Sequence, residues 1–288
     1  MDMSMGINTM KDTKNIDTGK NINKKRKIMY YYPGKKFPAI SVTGPHCDIM
    51  CPHCQGHYLK SMIWTDTPDE LVATCKILED KGVMGCLISG GCTMSGSVPV
   101  PYEALHTIRE ETELLLNVHT GLFTDTIIPE LEKLDPYISF DVPTPTVIHE
   151  LYHLDKTQND YFAALKSIIH LKVVPHVMVG LNLLEEIKTI KTLHYMGISS
   201  LVIIVFTPTK GTPFNTIPVS VDNVLKPIKV ARSLFCELIL GCMRPRIKEL
   251  EEQVPLFDGV VAPTPWAKNA VEKAGIPVGV QETCCVIP

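Results

Sequence analysis

From residue 37 onward the chain alternates short β-branched or apolar runs with longer segments of helical period, and no other feature limits its fold so tightly. Runs that are apolar throughout belong to strands covered on both faces, as in a parallel sheet with helices packed against it. Eight such strands are expected: Pro38 to Thr43, Gly85 to Ser89, Leu114 to Val118, Tyr137 to Val142, Val173 to Gly180, Leu201 to Phe206, Leu238 to Cys242 and Gly259 to Ala262. Helix starts are written between them at Thr67-Pro68-Asp69-Glu70, at Pro101 and at Ser220 or Asp222. Eight strands with intervening helices predict a closed (β/α)8 barrel of the TIM type, which 288 residues fill as one unit. In such a barrel the chemistry gathers in the loops after the strands.

Residues 1 to 28 are polar, carry the basic run Lys24-Lys25-Arg26-Lys27 and show no apolar period, so a disordered arm is expected there and the barrel over 29–288. With 28 basic and 31 acidic residues the net charge is -3, which provides no field for nucleic acid. The purest apolar run, Leu201 to Phe206, is strand-sized, far short of the roughly 18 residues that span a bilayer. Neither a membrane span nor a secretory signal is read, which predicts a cytoplasmic protein whose ten cysteines are reduced and free to bind metal.

Three of those cysteines, Cys47, Cys51 and Cys54, stand at C-x3-C-x2-C directly after the first expected strand. A loop so spaced can wrap a cubic iron-sulfur cluster with each thiolate on a different iron, leaving one iron without a cysteine. An open coordination position separates a reactive centre from a closed structural one. Two other readings compete: a zinc site completed by His46, His53 or His57, and an electron carrier, which would need a fourth cysteine nearby.

With this loop the sequence resembles the radical S-adenosylmethionine (SAM) superfamily, over residues 37 to about 262. The resemblance implies a full or partial α/β barrel, a [4Fe-4S] cluster on Cys47, Cys51 and Cys54, SAM on the free iron, and reductive cleavage to a 5'-deoxyadenosyl radical that abstracts hydrogen. It places Gly90 and Gly91, in Ser89-Gly90-Gly91-Cys92, at the turn holding the SAM amino group, with Cys92 where the family has Glu. It assigns Val179 and Gly180, in Val179-Gly180-Leu181-Asn182, and Thr207 to the adenine, and Asp141 to the ribose. Within the superfamily the chain is similar to the biotin-synthase-like branch and to archaeal two-component lipoyl synthase subunits. That likeness implies sulfur insertion, a small or carrier-bound substrate, a second radical SAM protein as partner, and reduced ferredoxin or flavodoxin as electron donor. Rearrangement, methylation and dehydrogenation are the other outcomes of the class, and a non-catalytic zinc or iron-sulfur module is the rival outside it.

The remaining thiols divide by position. Cys75 and Cys236 are assigned to buried helix faces, and Cys86 to a strand interior. Cys92, Cys242, Cys284 and Cys285 follow strands or lie in a tail able to fold back over the barrel mouth, and they are the candidates for an auxiliary cluster. Arg244 and Arg246 flank Cys242, suited either to favouring its thiolate or to binding a substrate carboxylate. His119, His149, His153 and His176 are read as satisfied core or loop histidines, Glu150 as a residue near the presumed mouth, and the terminal Cys285-Val286-Ile287-Pro288 as a chance likeness to a prenylation box.

Overall fold

The structure, a computed structural model, describes residues 26–288. It contains β1 (Ile28–Tyr31), β2 (Ala39–Ser41), β3 (Ile63–Trp64), β4 (Gly85–Ser89), β5 (Leu115–His119), β6 (Tyr137–Asp141), β7 (Lys172–Val179), β8 (Ser200–Val205), β9 (Glu237–Leu240), β10 (Gly259–Val261) and β11 (Val278–Gln281). The helices are α1 (Pro68–Asp80), α2 (Tyr102–Glu111), α3 (Ile128–Leu134), α4 (Gln158–Ile168), α5 (Leu183–Tyr195), α6 (Val221–Leu234), α7 (Lys248–Glu251) and α8 (Pro265–Lys273). The expected helix starts are real caps: Thr67 accepts from the Glu70 N–H ahead of a proline, Pro101 precedes α2, and Ser220 accepts from the Asn223 N–H. None of these helices is long and apolar enough to cross a membrane.

All strand pairs are parallel, in the order β11-β1-β10-β9-β8-β7-β6-β5-β4-β2-β3. The eight expected strands are β2 and β4 to β10, but they do not close into a ring. Closure of a (β/α)8 barrel would need β10 beside β2. Instead β10 pairs with β1, which in turn carries β11, and β2 pairs with β3, so the described sheet is an open eleven-stranded half-barrel. The expected arm is also shortened. Residues 1–25 lie outside the described residues, whereas Arg26 donates to the Phe257 carbonyl at 2.8 Å and Ile28 is fully buried in β1.

Side chains alternate across the sheet. One face meets the helices through Cys86, Ile88, Leu116, Val118, Ile138, Phe140, Val177, Val179, Leu201 and Ile203. The concave face divides in two. Between β4 and β7 it is polar, with Ser89, Asn117, His119, Ser139, Asp141 and His176. From β7 round to β1 it is apolar, with Met178, Val202, Ile204, Ile239, Val261 and Tyr31. The segment after β11 covers this apolar half. Cys285, Val286 and Ile287 pack on it, and the Gln281 amide holds the hook by donating to Thr283 Oγ1 at 2.7 Å and the Ile287 carbonyl at 3.1 Å. Val286 and Pro288 border a cavity of about 350 Å³ with Tyr137, Lys172, Ser200 and Glu237, the first residues of β6 to β9. The tail therefore turns into the hollow and reaches its base, rather than folding over the mouth.

Candidate functional site

The loop that leaves β2 is tied to the turn after β4. Val42 N–H donates to the Ser89 carbonyl at 2.8 Å, Gly91 N–H to Thr43 Oγ1 at 2.8 Å, and Asp48 N–H to the Cys92 carbonyl at 2.9 Å. Thr43 Oγ1 passes the connection on by donating to the His46 carbonyl at 2.8 Å. Gly91 is required here for close approach: a Cβ on it would lie 1.9 Å from the His46 carbonyl oxygen and 2.5 Å from Cys47 Cα. Met50, Gln55 and Gly56 have φ of 44°, 46° and 69°, so the loop bends repeatedly through left-handed backbone as it delivers its thiols. Cys47 and Cys54 are half-buried and Cys51 is buried.

Among the described residues no three His, Cys, Asp or Glu side chains meet closely enough to hold a single metal ion. The three loop thiols lie on one short segment, with Cys51 against Cys54, and a cubic cluster would take one thiolate on each of three irons. The donor chemistry fits such a group. A hydrogen bond from Cys51 draws the Cys54 thiol down to about 7 against its burial, helped by the N–H groups of Gly56 and His57, while Cys51 is pushed up. Burial pushes the Cys92 thiol up to about 12, reinforced by Cys47, Asp141 and Cys54. His53, between two of the cysteines, is buried with its Nδ1 unpartnered and its ring 6.1 Å from Phe206, and burial pushes it down to about 4, a neutral imidazole. The loop after β8 closes this side, since Phe214 N–H donates to the Pro52 carbonyl at 3.0 Å.

Across the hollow, three strand ends build a polar wall round Asp141, the expected ribose contact, with His119 and His176, which the sequence reading took for satisfied core or loop histidines. His119 Nδ1 stands 3.3 Å from Ser89 Oγ and its Nε2 3.3 Å from Asp141 Oδ2. Burial opposes both charges, but each offsets it for the other, so the Asp141 carboxyl is held low and the His119 imidazole high. His176 is pushed down by burial despite Asp141, and its Nδ1 donates to the Val174 carbonyl at 3.0 Å, which leaves Nε2 as an acceptor. Tyr152 stands within the influence of Asp141, Cys51 and Cys92, and burial pushes its hydroxyl far up. The signal was present in sequence only as single polar residues at strand ends; their convergence depends on the register of β5 to β7.

Other candidates fall differently. Gly180 does form a special turn, at φ 109°, but the N–H groups of Gly180, Leu181 and Asn182 all donate to Glu186 Oε1 at 2.7–2.8 Å, and the Val179 side chain faces the helices. That turn has carbonyls but no amide donors left to offer a nucleobase. Thr207 donates to the Val205 carbonyl at 2.9 Å in the loop that approaches Tyr58 and Pro52. Arg244 is not a substrate ligand. Its five N–H groups are committed to Glu251 Oε1 and Oε2 and to the carbonyls of Gly241, Val261 and Ala262, and its side chain is fully buried. Arg246 is partly exposed, with contacts to Glu251 at 3.6 Å and the Cys242 carbonyl at 3.5 Å.

The four auxiliary thiols do not form one group. Cys92 belongs with the loop, next to Cys47. Cys242, Cys284 and Cys285 lie within electrostatic reach of one another in the hollow, where Cys242 is accessible and yet has its thiol pushed up by burial. Cys284 is drawn down to about 7, first by a hydrogen bond from Cys285 and then, against burial, by the Val286 N–H and the Asn117 amide, whose Nδ2 is 3.3 Å away. Cys75 and Cys86 are buried as expected, but Cys236 is exposed in the link between α6 and β9 because α6 already ends at Leu234.

No protein-family model matches the chain, and no curated protein matches it in sequence. Among solved structures it resembles the crystal structure of methylornithine synthase (PylB), at 13% identity and a TM-score of 0.59, over 88% of this chain and 84% of that one. It also resembles Streptococcus suis SuiB bound to S-adenosylmethionine, at 10% identity and a TM-score of 0.51, over 89% of this chain and 51% of SuiB, so it spans about half of that protein's length. At these identities the likeness is one of fold.

Proposed function

We propose that this chain is a radical SAM enzyme whose cluster is held by Cys47, Cys51 and Cys54. The observation that supports this best is the placing of three thiols on one loop, clamped through Thr43 and Gly91 to the turn after β4, at the C-terminal ends of strands in this fold. The cluster and SAM, when bound, supply one-electron cleavage of the sulfonium and hence a 5'-deoxyadenosyl radical able to take hydrogen from an unactivated carbon.

The chain's own residues supply the rest. Gly90 and Gly91 let backbone approach the amino-acid end of SAM, and Asp141, kept ionised by His119, offers a carboxylate to the ribose hydroxyls. His53 stays neutral, and with Phe206 it excludes water behind the cysteine loop. The open hollow between that loop and the tail receives the substrate, a small molecule or a carrier-bound chain.

Within the class we favour sulfur insertion of the biotin- and lipoyl-synthase type, supported by the thiols gathered in the hollow. An amino-acid substrate and a rearrangement or other hydrogen-abstraction outcome is the second reading, favoured by the fold shared with methylornithine synthase. The proposed setting is cytoplasmic, with ferredoxin or flavodoxin as reductant and a second radical SAM protein as partner. The test is anaerobic reconstitution followed by a dithionite-driven assay for 5'-deoxyadenosine. Wild type should form it and Cys51→Ala should not; uptake of zinc with intact SAM would leave the non-catalytic module as the reading.

A further inference from the structure

The concave face of the sheet changes chemistry at a single strand. On β7, His176 lies opposite Asp141 of β6 on one side and Val202 of β8 on the other. The apolar side is already occupied: Cys285, Val286 and Ile287 of the hook are buried against Met178, Val202, Ile204, Ile239 and Val261. The hook is also fastened to the polar side. Asn117, fully buried on β5, directs its Nδ2 at the Cys284 sulfur from 3.3 Å and accepts at Oδ1 from Ser139 Oγ at 3.1 Å. His119 and Asp141 stand two residues further along the same strands and on the same face, about 6–7 Å nearer the mouth. The hook therefore forms the bottom of the space into which His119 and Asp141 are partly exposed.

Above that floor the wall has acceptors to spare. His176 Nδ1 donates to the Val174 carbonyl at 3.0 Å, and burial keeps the ring neutral, so Nε2 is an acceptor. It has no partner among the described residues, and the side chain is half-buried rather than sealed in the core. Asp141 turns Oδ2 toward His119 at 3.3 Å, and its Oδ1 likewise has no partner among the described residues. The neighbouring polar groups are already engaged: Asn117 with Ser139 and Cys284, and His119 with Ser89 and Asp141. A carboxylate beside a neutral imidazole, both open to the hollow, suits a group that brings several N–H donors and a positive charge.

We propose that the hook is the floor of the substrate site and restricts it to a small polar amine: the amino group lies between His176 Nε2 and the Asp141 carboxylate, and Val286 and Ile287 fill the room that an alkyl or acyl chain would take. Of the substrates that the proposed function leaves open, this selects the small molecule over the carrier-bound chain. It rests on that reading in one respect, that the hollow is where the substrate binds. Val286 and Ile287 then determine specificity, and His176 is a binding residue.

Cys284, half-buried at the floor, serves as the reporter, and the exposed Cys236 as its reference. The full chain, without cluster or SAM, is treated near neutral pH with equal amounts of cationic 2-aminoethyl and anionic 2-sulfonatoethyl methanethiosulfonate, and peptide mass mapping reads each cysteine. The ratio of cationic to anionic labelling at Cys284, relative to that at Cys236, should be about fivefold or more in wild type and fall to about one in Asp141→Asn/His176→Phe. A wild-type ratio no higher than that at Cys236 would overturn the amine site. The floor is read by protection of Cys284 from labelling. Ethylamine should protect wild type at concentrations where hexylamine does not, and Val286→Ala/Ile287→Ala should let hexylamine protect at about tenfold lower concentration, the gain from burying roughly two more methylenes. Equal protection by hexylamine in the two proteins, or none by ethylamine in wild type, would overturn the proposal. Melting curves verify folding, and should the double alanine variant fail to fold, Val286→Ala alone decides. Charge selection and protection with no 5'-deoxyadenosine from the reconstituted wild type would keep the amine site and remove the proposed function. The reverse result would keep the function and remove the site.

Discussion

Two pairs of buried sulfur atoms in this molecule carry opposite meanings. Cys75 and Cys86 are fully buried, packed among Leu71, Ile88, Leu105 and Ile108, and face each other; that contact and burial push the Cys86 thiol well up. Cys284 and Cys285 are also hydrogen-bonded neighbours, but the first of them collects N–H donors from Asn117 and the tail and is drawn down. Cys285 is buried as Cys75 and Cys86 are, so burial by itself does not separate structural from reactive thiols. The donors around the sulfur do.

Arg244 and Arg246 repeat the lesson with charge. All five Arg244 donors have acceptors, and it serves as a strut joining β9, β10 and α7, whereas Arg246 and Asp141 retain capacity that nothing among the described residues takes up. A saturated polar group is architecture. One with capacity to spare, facing a hollow, is available for a ligand.

This contrast is exposed to a direct break at the cysteine loop, where the largest effect is expected. Cys51→Ala should reduce 5'-deoxyadenosine formation by more than about 100-fold, since a cluster lacking one of its thiolates no longer presents the open iron. Cys86→Ala should leave that rate unchanged and cost about 1–2 kcal/mol in denaturant unfolding, the size of a small core cavity. If Cys86→Ala abolished the reaction with the fold intact, the division between donor-poor and donor-rich sulfur would fail.

The arginines come next. Arg244→Met leaves Glu251, fully buried, with only the longer contact to Arg246 at 3.6 Å and should destabilise the chain by about 3–5 kcal/mol. Arg246→Met removes a partly exposed contact and should cost under about 1 kcal/mol, with any larger effect appearing in substrate turnover. Chemical denaturation of both variants distinguishes strut from ligand. Gly91→Ala sharpens the loop's side of the comparison: its Cβ would collide with the backbone of His46 and Cys47, so about 1–3 kcal/mol of strain and a lower iron content after reconstitution are expected. Iron bound to the wild-type level would mean that the loop does not need this clamp.

Much of this arrangement is legible in sequence, for reasons that differ by feature. The strands from β4 to β10 announce themselves because each is an apolar run between helical segments, and the cysteine triad because its spacing is local. β1 escapes because Ile28–Tyr31 follows a basic run that reads as tail, β3 because two residues carry no pattern, and β11 because Val278–Gln281 is brief and exposes Val278 and Val280. Those omissions are what turned an open half-barrel into a closed ring. The wall of His119, Asp141 and His176 is hidden for another reason: its members are 22 and 35 residues apart along the chain and meet only through strand register. Arg244 misled because its acceptors are mostly backbone carbonyls, which leave no mark in a sequence.

The smallest effect concerns pH, and it tests whether the Arg244 strut acts through charge. Burial opposes ionisation of Glu251, but hydrogen bonds and charge from Arg244, with Thr264 and Arg246 adding to them, outweigh it and hold the carboxyl below its ordinary value of 4.5. A carboxyl depressed in the folded state contributes stability in full above its unfolded pKa, and that contribution is lost as pH falls through the folded value. The midpoint of unfolding should therefore drop more steeply below about pH 4.5 in wild type than in Glu251→Gln, which keeps the shape and two of the acceptor sites without the titrating charge. The difference in slope should be small, and a series of urea titrations between pH 5 and pH 3 reads it. Parallel curves for the two proteins would mean that the strut holds by hydrogen-bond geometry alone, and Arg244 would then resemble the Cys75 and Cys86 pair more closely than it resembles Arg246.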